Sequence, residues 1–205
     1  MRTRPATATA TAILVALTAM LPLLASAHVG VDGAAHHDVG FMQGFLHPFT
    51  GFDHLAAMVA VGLWSALTAR DGRDAFWAPV GFAAMLLAGA LAGLAGLQLP
   101  GVEPMIAASL LAIGLLVATR LRLPGPVAAG LVGVFAVFHG VAHGHELAGG
   151  HGAGAAITGM VVATALLHAA GLAAGWSLRT RGAWLSRAAG TALALFCAAV
   201  LTQLA

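Results

Sequence analysis

Two short segments of the chain concentrate side chains that bind metal ions. The first runs from His47 to His54 and contains two histidines and an aspartate; the second runs from His139 to Glu146 and contains three histidines and a glutamate. Imidazole suits divalent nickel, copper, zinc and cobalt. Because Cys197 is the single cysteine, a cysteine-rich metal site and a disulfide are both excluded. The two segments therefore predict a site for a divalent transition-metal ion.

In the second segment, helical periodicity brings His139, His143 and Glu146 to one face. At about 100° per residue these three lie within roughly 60° of one another, whereas His145 points away from them. Two histidines at i and i+4 are a recurrent metal-binding spacing on a helix. The alternative is that they are hydrogen-bonded core histidines.

In the first segment, Pro48 and Gly51 disfavour a continuous helix, so a turn or a broken helix is expected between His47 and His54. Such a break would fold His47 toward His54. Asp53 and His54 are costly in hydrocarbon and should face the interior of a helix bundle, where they have partners. As an alternative, Asp53 caps the following helix and the histidine is incidental.

Membrane helices must position these segments, because the composition excludes a soluble domain. Hydrophobic residues make up 60% of the chain and charged residues only 8%, and the mean hydropathy is +0.94. The formal charge of +2 comes from Arg2 and Arg4, so there is no basic patch for nucleic acid. The predicted fold class is all-α, a polytopic helix bundle in a lipid bilayer.

The N-terminus has the features of a cleavable signal peptide, predicted as residues 1–27. Two arginines precede an apolar run that ends at Leu24, and Ala25-Ser26-Ala27 supplies the small residues that signal peptidase accepts. The mature chain would then begin at His28. The alternative is an uncleaved first span.

Six spans follow, each near the roughly 20 residues that cross the hydrocarbon core. They are predicted at 50–69, 76–97, 102–119, 126–145, 155–178 and 183–204. The remaining arginines gather around three short gaps between spans: Arg70, Arg73, Arg120, Arg122, Arg179, Arg181 and Arg187. The positive-inside rule places these gaps in the cytoplasm and both mature termini in the periplasm. We therefore expect an inner-membrane protein with a periplasmic segment at 28–46 and a transmembrane domain at 47–205.

Further histidines lie outside the two segments. His28, His36 and His37 belong to the periplasmic segment, where they either capture ions or are incidental to a solvated tail. His168 lies about 13 residues into the fifth span, near the middle of the bilayer. A lone imidazole at this depth either lines an ion path or is a neutral histidine hydrogen-bonded within the bundle.

The pattern His47-Pro48-x-x-Gly51-x-Asp53-His54, with His139-Gly140-x-Ala142-His143-Gly144-x-Glu146, resembles the HupE/UreJ family of nickel permeases. The likeness covers essentially the whole mature chain. It implies a secondary transporter that imports Ni²⁺, or Co²⁺, for hydrogenase or urease maturation. It also implies metal-interacting positions at His47, Asp53, His54, His139, His143 and Glu146. The resemblance, and not the ligand set, selects nickel.

The sequence also bears on mechanism. There is no lysine and no phosphate-binding loop, so the chain is not expected to hydrolyse ATP or to be an enzyme, and no permanently bound cofactor is expected. Without ATP hydrolysis, transport would be facilitated or proton-coupled. Histidines can exchange a proton for a metal ion, because only neutral imidazole ligates a metal. Two other classes stay open: an intramembrane metal-dependent hydrolase, and a b-type haem protein that uses His139 or His143 with His168.

Overall fold

In a computed structural model, which describes residues 40–180 and 183–204, the described chain consists of seven α-helices and one short 3₁₀-helix. The α-helices are α1 (Phe41–Thr50), α2 (Phe52–Thr68), α3 (Trp77–Leu94), α4 (Val102–Thr119), α5 (Gly125–Glu146), α6 (Ala153–Arg179) and α7 (Trp184–Leu204). The 3₁₀-helix at Asp74–Phe76 leads into α3. The predicted signal peptide and His28, His36 and His37 lie outside the described residues.

Four helices, α3 to α6, are long and apolar enough to cross a membrane individually. Helices α1 and α2 meet this criterion together, as a pair bent by 82°, and would form a fifth span. For α7, the apolar stretch that can be assessed among the described residues is Trp184–Ala199, which is shorter than a span. The chain is thus a multi-pass helical membrane protein, and the number of six spans stays a prediction.

Each predicted span coincides with a helix to within a few residues, and α4 has the predicted bounds, Val102–Thr119. The structure differs from the prediction at α1, which begins at Phe41, within the segment 28–46 that was predicted to precede the transmembrane domain. Helix α1 packs on α6 through glycines: a Cβ at Gly44 would overlap the backbone of Ala156, and a Cβ at Gly159 would overlap that of Phe41. This close approach holds α1 in place, although Pro48 lies within it.

Close packing also pairs α3 with α5, α2 with α6 and α4 with α7. A Cβ at Gly140 of α5 would overlap the carbonyl oxygen of Leu86 in α3, and one at Gly62 of α2 would overlap that of His168 in α6. Glycine therefore allows these backbones to touch. The contacts fix the heights at which the histidines of α5 and α6 lie relative to the neighbouring helices.

The two ends of the bundle differ in chemistry. At one end, Arg179 donates a hydrogen bond to the carbonyl oxygen of Ala69 after α2, and Arg120 donates from Nε to a serine of α7 at 3.0 Å. At the other end, His145 of α5 donates from Nε2 to the carbonyl oxygen of Leu97, which follows α3, at 2.5 Å. The arginine-bearing loops and the histidine-bearing end of α5 thus lie on opposite sides.

Candidate metal centre

Three histidines from the two predicted segments meet where α1, α2 and α5 come together. One ring nitrogen each of His47, His54 and His143 lies within 4.8 Å of the others. The ring centroid of His47 is 4.6 Å from that of His143 and 5.6 Å from that of His54. The prediction that a broken helix folds His47 toward His54 is therefore confirmed.

The break that makes this possible lies at Gly51. Its backbone is extended, with φ −97° and ψ 120°, between the last residue of α1 and the first residue of α2. A Cβ at this position would lie 2.8 Å from Oδ1 of Asp53 and 3.0 Å from Nδ1 of His54. The absence of a side chain at Gly51 thus leaves room for the pair formed by Asp53 and His54.

Two carboxylates accept hydrogen bonds from the rings of His54 and His143, at the Nδ1 atom of each ring. Nδ1 of His54 donates to Oδ1 of Asp53 at 2.9 Å, and Nδ1 of His143 donates to Oε2 of Glu146 at 3.2 Å. Because a carboxylate only accepts hydrogen bonds, each neutral ring keeps its hydrogen on Nδ1 and its lone pair on Nε2. The N-cap of α2 is Gly51, without a side-chain capping bond, so the structure does not support Asp53 as a cap.

The resemblance implies that Asp53 and Glu146 interact with the metal, and the structure gives these carboxylates a definite position. Each contacts a histidine ring on the nitrogen opposite the three-histidine cluster. Metal-ligating histidines commonly donate their second ring N–H to a carboxylate in this way, which fixes the tautomer and strengthens the ligand. The carboxylates are thus placed to support His54 and His143 as ligands.

The two free lone pairs meet at one point, because Nε2 of His54 and Nε2 of His143 lie 3.1 Å apart. Two lone pairs at this distance repel one another unless a proton or a metal cation lies between them. Two nitrogens that are each about 2.0–2.1 Å from one ion lie about 2.9 Å apart at a right angle and about 3.4 Å apart at the tetrahedral angle. The observed spacing falls between these values and so fits a single divalent ion.

His139 lies one helical turn before His143 on the same face of α5, as the periodicity predicts. It is 1% exposed, and its ring centroid lies 5.4 Å from that of His54. Its Nε2 hydrogen-bonds Oγ of Ser109 at 3.0 Å, and its Nδ1 has no hydrogen-bond partner among residues 40–180 and 183–204. His139 is therefore next to the three-histidine cluster but not part of it. His145 is exposed and points away, as predicted.

His168 is buried in the middle of α6. Its Nδ1 donates to the carbonyl oxygen of Met58 at 2.7 Å, and its Nε2 has no hydrogen-bond partner within the part of the chain that the structure describes. The ring of Phe82 is a neighbour of both deep histidines, at centroid distances of 5.2 Å from His168 and 6.1 Å from His139. The hydrogen bond to a backbone carbonyl that is expected of a structural histidine is therefore present. Nε2 remains without a hydrogen-bond partner among the described residues.

Ser109 and Phe82 were not predicted from the sequence. Both are single residues in apolar helices, α4 and α3, and no spacing marks them. A serine in a membrane helix is also satisfied by its own backbone, as here, where Oγ of Ser109 donates to the carbonyl oxygen of Ile106 at 2.6 Å. Only the fold shows that the same oxygen reaches His139.

The chain matches known proteins over most of its length. The family model described as "HupE / UreJ protein" matches residues 14–200. Protein HupE of Rhizobium leguminosarum bv. viciae is 42% identical over 184 residues, which cover 88% of this chain and 92% of that protein. No solved structure matches the chain.

Proposed function

We propose that this chain, which belongs to the HupE/UreJ family, is a permease that imports Ni²⁺ across the bacterial inner membrane. Co²⁺ is the second candidate substrate. The metal would supply hydrogenase or urease maturation, as the family resemblance implies. The ion is the transported substrate, and neither a permanently bound cofactor nor an enzymatic activity is part of the proposal.

The observation that carries the proposal is the distance of 3.1 Å between Nε2 of His54 and Nε2 of His143. With His47 as the third ligand, the cluster offers imidazole nitrogens without a thiolate, a set that suits borderline divalent ions. Asp53 and Glu146 would orient the rings and raise their basicity. A transport site must bind the ion well enough to collect it and weakly enough to release it.

An inward path would continue along the buried histidines. From the three-histidine cluster the ion would pass His139 and then His168, each of which has a ring nitrogen without a partner in the described chain. The buried ring of Phe82 neighbours both histidines, so this side chain would line the inner part of the proposed path.

Capture would begin on the periplasmic side, where the proposed orientation places both mature termini. His28, His36 and His37 would collect ions there before they reach His47. Replacing His36 and His37 together by alanine should raise the Ni²⁺ concentration that gives half-maximal uptake and leave the maximal rate unchanged, because the segment would act only in capture.

The proposal favours a single metal ion over a b-type haem held by His139 or His143 with His168. The ring of Phe82 is packed beside two of these histidines, with centroid distances of 6.1 Å to His139 and 5.2 Å to His168. Purified protein should accordingly lack the Soret absorption of a haem protein.

The direct test is uptake of radiolabelled Ni²⁺ by bacteria that lack their own nickel importer. Cells that express this chain should accumulate Ni²⁺ above cells with an empty vector, and Co²⁺, Cu²⁺ and Zn²⁺ as competitors would define the selectivity. The matched control is the double variant His54→Ala/His143→Ala, expressed to the same membrane level. Uptake no greater than in the empty-vector cells would refute the proposed function.

A further inference from the structure

We infer that His139 ligates the transported ion through Nδ1, and that Ser109 of α4 is the positioning residue that leaves this nitrogen available. The inference deepens the proposed function and rests on it. No sequence pattern indicates a role for Ser109.

The hydrogen bonds of Ser109 determine the tautomer of His139. A serine hydroxyl has one hydrogen, and Oγ of Ser109 donates it to the carbonyl oxygen of Ile106 at 2.6 Å. Toward Nε2 of His139, 3.0 Å away, the same oxygen can therefore only accept. The neutral ring must carry its hydrogen on Nε2, and its lone pair then resides on Nδ1.

This lone pair is buried and unpaired. His139 is 1% exposed, and Nδ1 has no hydrogen-bond partner in the described ranges 40–180 and 183–204. Buried polar atoms are nearly always satisfied, so an exception calls for an explanation. A metal ion that moves inward from the three-histidine cluster supplies one, because the ring of His54 lies 5.4 Å from that of His139 and at 87° to it.

The hydrogen-bond partner of His139 differs in charge from the partners of His54 and His143 in the three-histidine cluster. His54 and His143 would bind through Nε2 and are backed by carboxylates, whereas His139 would bind through Nδ1 and is backed by a neutral hydroxyl. A carboxylate raises the basicity of an imidazole ligand more than a hydroxyl does. His139 should therefore hold the ion more weakly than the cluster, which suits a step toward release.

Three serine variants test the role of Ser109 in transport. Ser109→Ala removes the acceptor of Nε2–H and should lower Ni²⁺ uptake at low concentration by about 10- to 100-fold, as loss of a ligand's hydrogen-bond partner commonly does. Ser109→Thr keeps a hydroxyl and should restore most of the uptake. Ser65→Ala is the matched control: Ser65 is also buried and bonds a backbone carbonyl, that of Ala75, at 2.7 Å.

A spectroscopic measurement tests the tautomer and the ligating atom without relying on transport. In protein with ¹⁵N-labelled histidine in lipid nanodiscs, NMR of the metal-free wild type should show the His139 hydrogen on Nε2. Zn²⁺, a diamagnetic probe, should shift Nδ1 of His139. A His139→Asn variant assigns the signals. In Ser109→Ala the preference for hydrogen on Nε2 should be lost.

The outcomes separate this inference from the proposed function. A hydrogen on Nδ1 in the wild type, or a Zn²⁺-induced shift at Nε2 or at neither nitrogen of His139, would overturn the inference even if nickel uptake is normal. Wild-type protein that binds Zn²⁺ through Nδ1 of His139 but accumulates no Ni²⁺ would uphold the ligand assignment and refute nickel import.

Discussion

His54 and His143 are separated by 89 residues in the chain, yet their Nε2 atoms lie 3.1 Å apart. His54 belongs to α2, which packs mainly on α6, and His143 belongs to α5, which packs mainly on α3. Their contact therefore joins two helix pairs. Because the carboxylates leave a lone pair on each Nε2, the contact is repulsive until a cation occupies it. An ion at this point would cross-link the two pairs.

Removal of either ring should abolish transport. We expect His54→Ala or His143→Ala to reduce Ni²⁺ uptake to the level of the empty vector, since each removes one of the two nitrogens that would hold the ion. Membrane levels should stay near normal, because the apo bundle loses a repulsive contact. His145→Ala is the control on the same helix, since His145 is exposed and points away from the cluster.

The same variants test whether the ion binds between α2 and α5. Ni²⁺ should raise the thermal unfolding midpoint of the purified wild type, since a ligand at 100 times its Kd stabilises the state it binds by about 2.7 kcal/mol. It should leave the midpoint of His54→Ala unchanged. Normal uptake together with a normal Ni²⁺ shift in His54→Ala would rule out the shared site.

Asp53 and Glu146 should affect Ni²⁺ affinity through the histidine rings to which they are hydrogen-bonded. Asp53→Asn and Glu146→Gln keep an acceptor near Nδ1 but remove the charge that makes the imidazole a stronger ligand, so Ni²⁺ affinity should fall by about 10- to 100-fold. The effect should be larger at Asp53, whose side chain is 33% exposed, than at Glu146, at 60% exposed, because solvent screens the exposed charge. Isothermal titration with Ni²⁺ measures both. A larger loss at Glu146 would contradict this order.

Much of the fold could be predicted because hydropathy reports directly on burial in a bilayer. The bounds of α4 and the common face of His139 and His143 follow from length and helical periodicity alone. Helix α1 could not be recognised in this way, since it is short and contains Pro48, and it is held by tertiary contact of Gly44 with α6.

The sequence also could not predict which residues of the site would contact an ion and which would contact a histidine ring. Spacing groups Asp53 and Glu146 with the histidines, but whether a carboxylate contacts an ion or a ring nitrogen depends on side-chain rotamers. The bond from Ser109 to His139 depends on the packing of α4 beside α5, and no pattern in either helix marks it. Interactions between elements distant in sequence are set by the tertiary structure.

Gly51 should be sensitive to the smallest added side chain. Its backbone angles are accessible to alanine, but the new Cβ would lie 2.8 Å from Oδ1 of Asp53 and would displace that carboxylate from His54. We expect Gly51→Ala to reduce Ni²⁺ uptake to an extent similar to Asp53→Asn. The control is Gly72→Ala, since a Cβ at Gly72 meets nothing within 4 Å. Equal uptake in both glycine variants would show that the Asp53 contact is not needed.

The topology can be tested at both ends of the chain. If cleavage follows Ala27 and six spans follow, N-terminal sequencing of the mature protein should begin at His28. Alkaline phosphatase fused after Ala205 should be active, and the same enzyme fused after Arg179 should be inactive, because the arginine-bearing loops are expected in the cytoplasm. A stable but inactive fusion after Ala205 would show that α7 does not cross the membrane.

His168 provides the test of the inner path. Its Nδ1–H bond to the carbonyl oxygen of Met58 positions the ring, and its buried Nε2 is free within the described chain. The amide of asparagine can donate to the same carbonyl oxygen but is a poor ligand for Ni²⁺. His168→Asn should therefore lose most of its Ni²⁺ uptake and keep the wild-type thermal shift with Ni²⁺, since the outer cluster is intact. If uptake in this variant equals that of the wild type, the bond to Met58 is the whole role of His168, and the ion path does not include it.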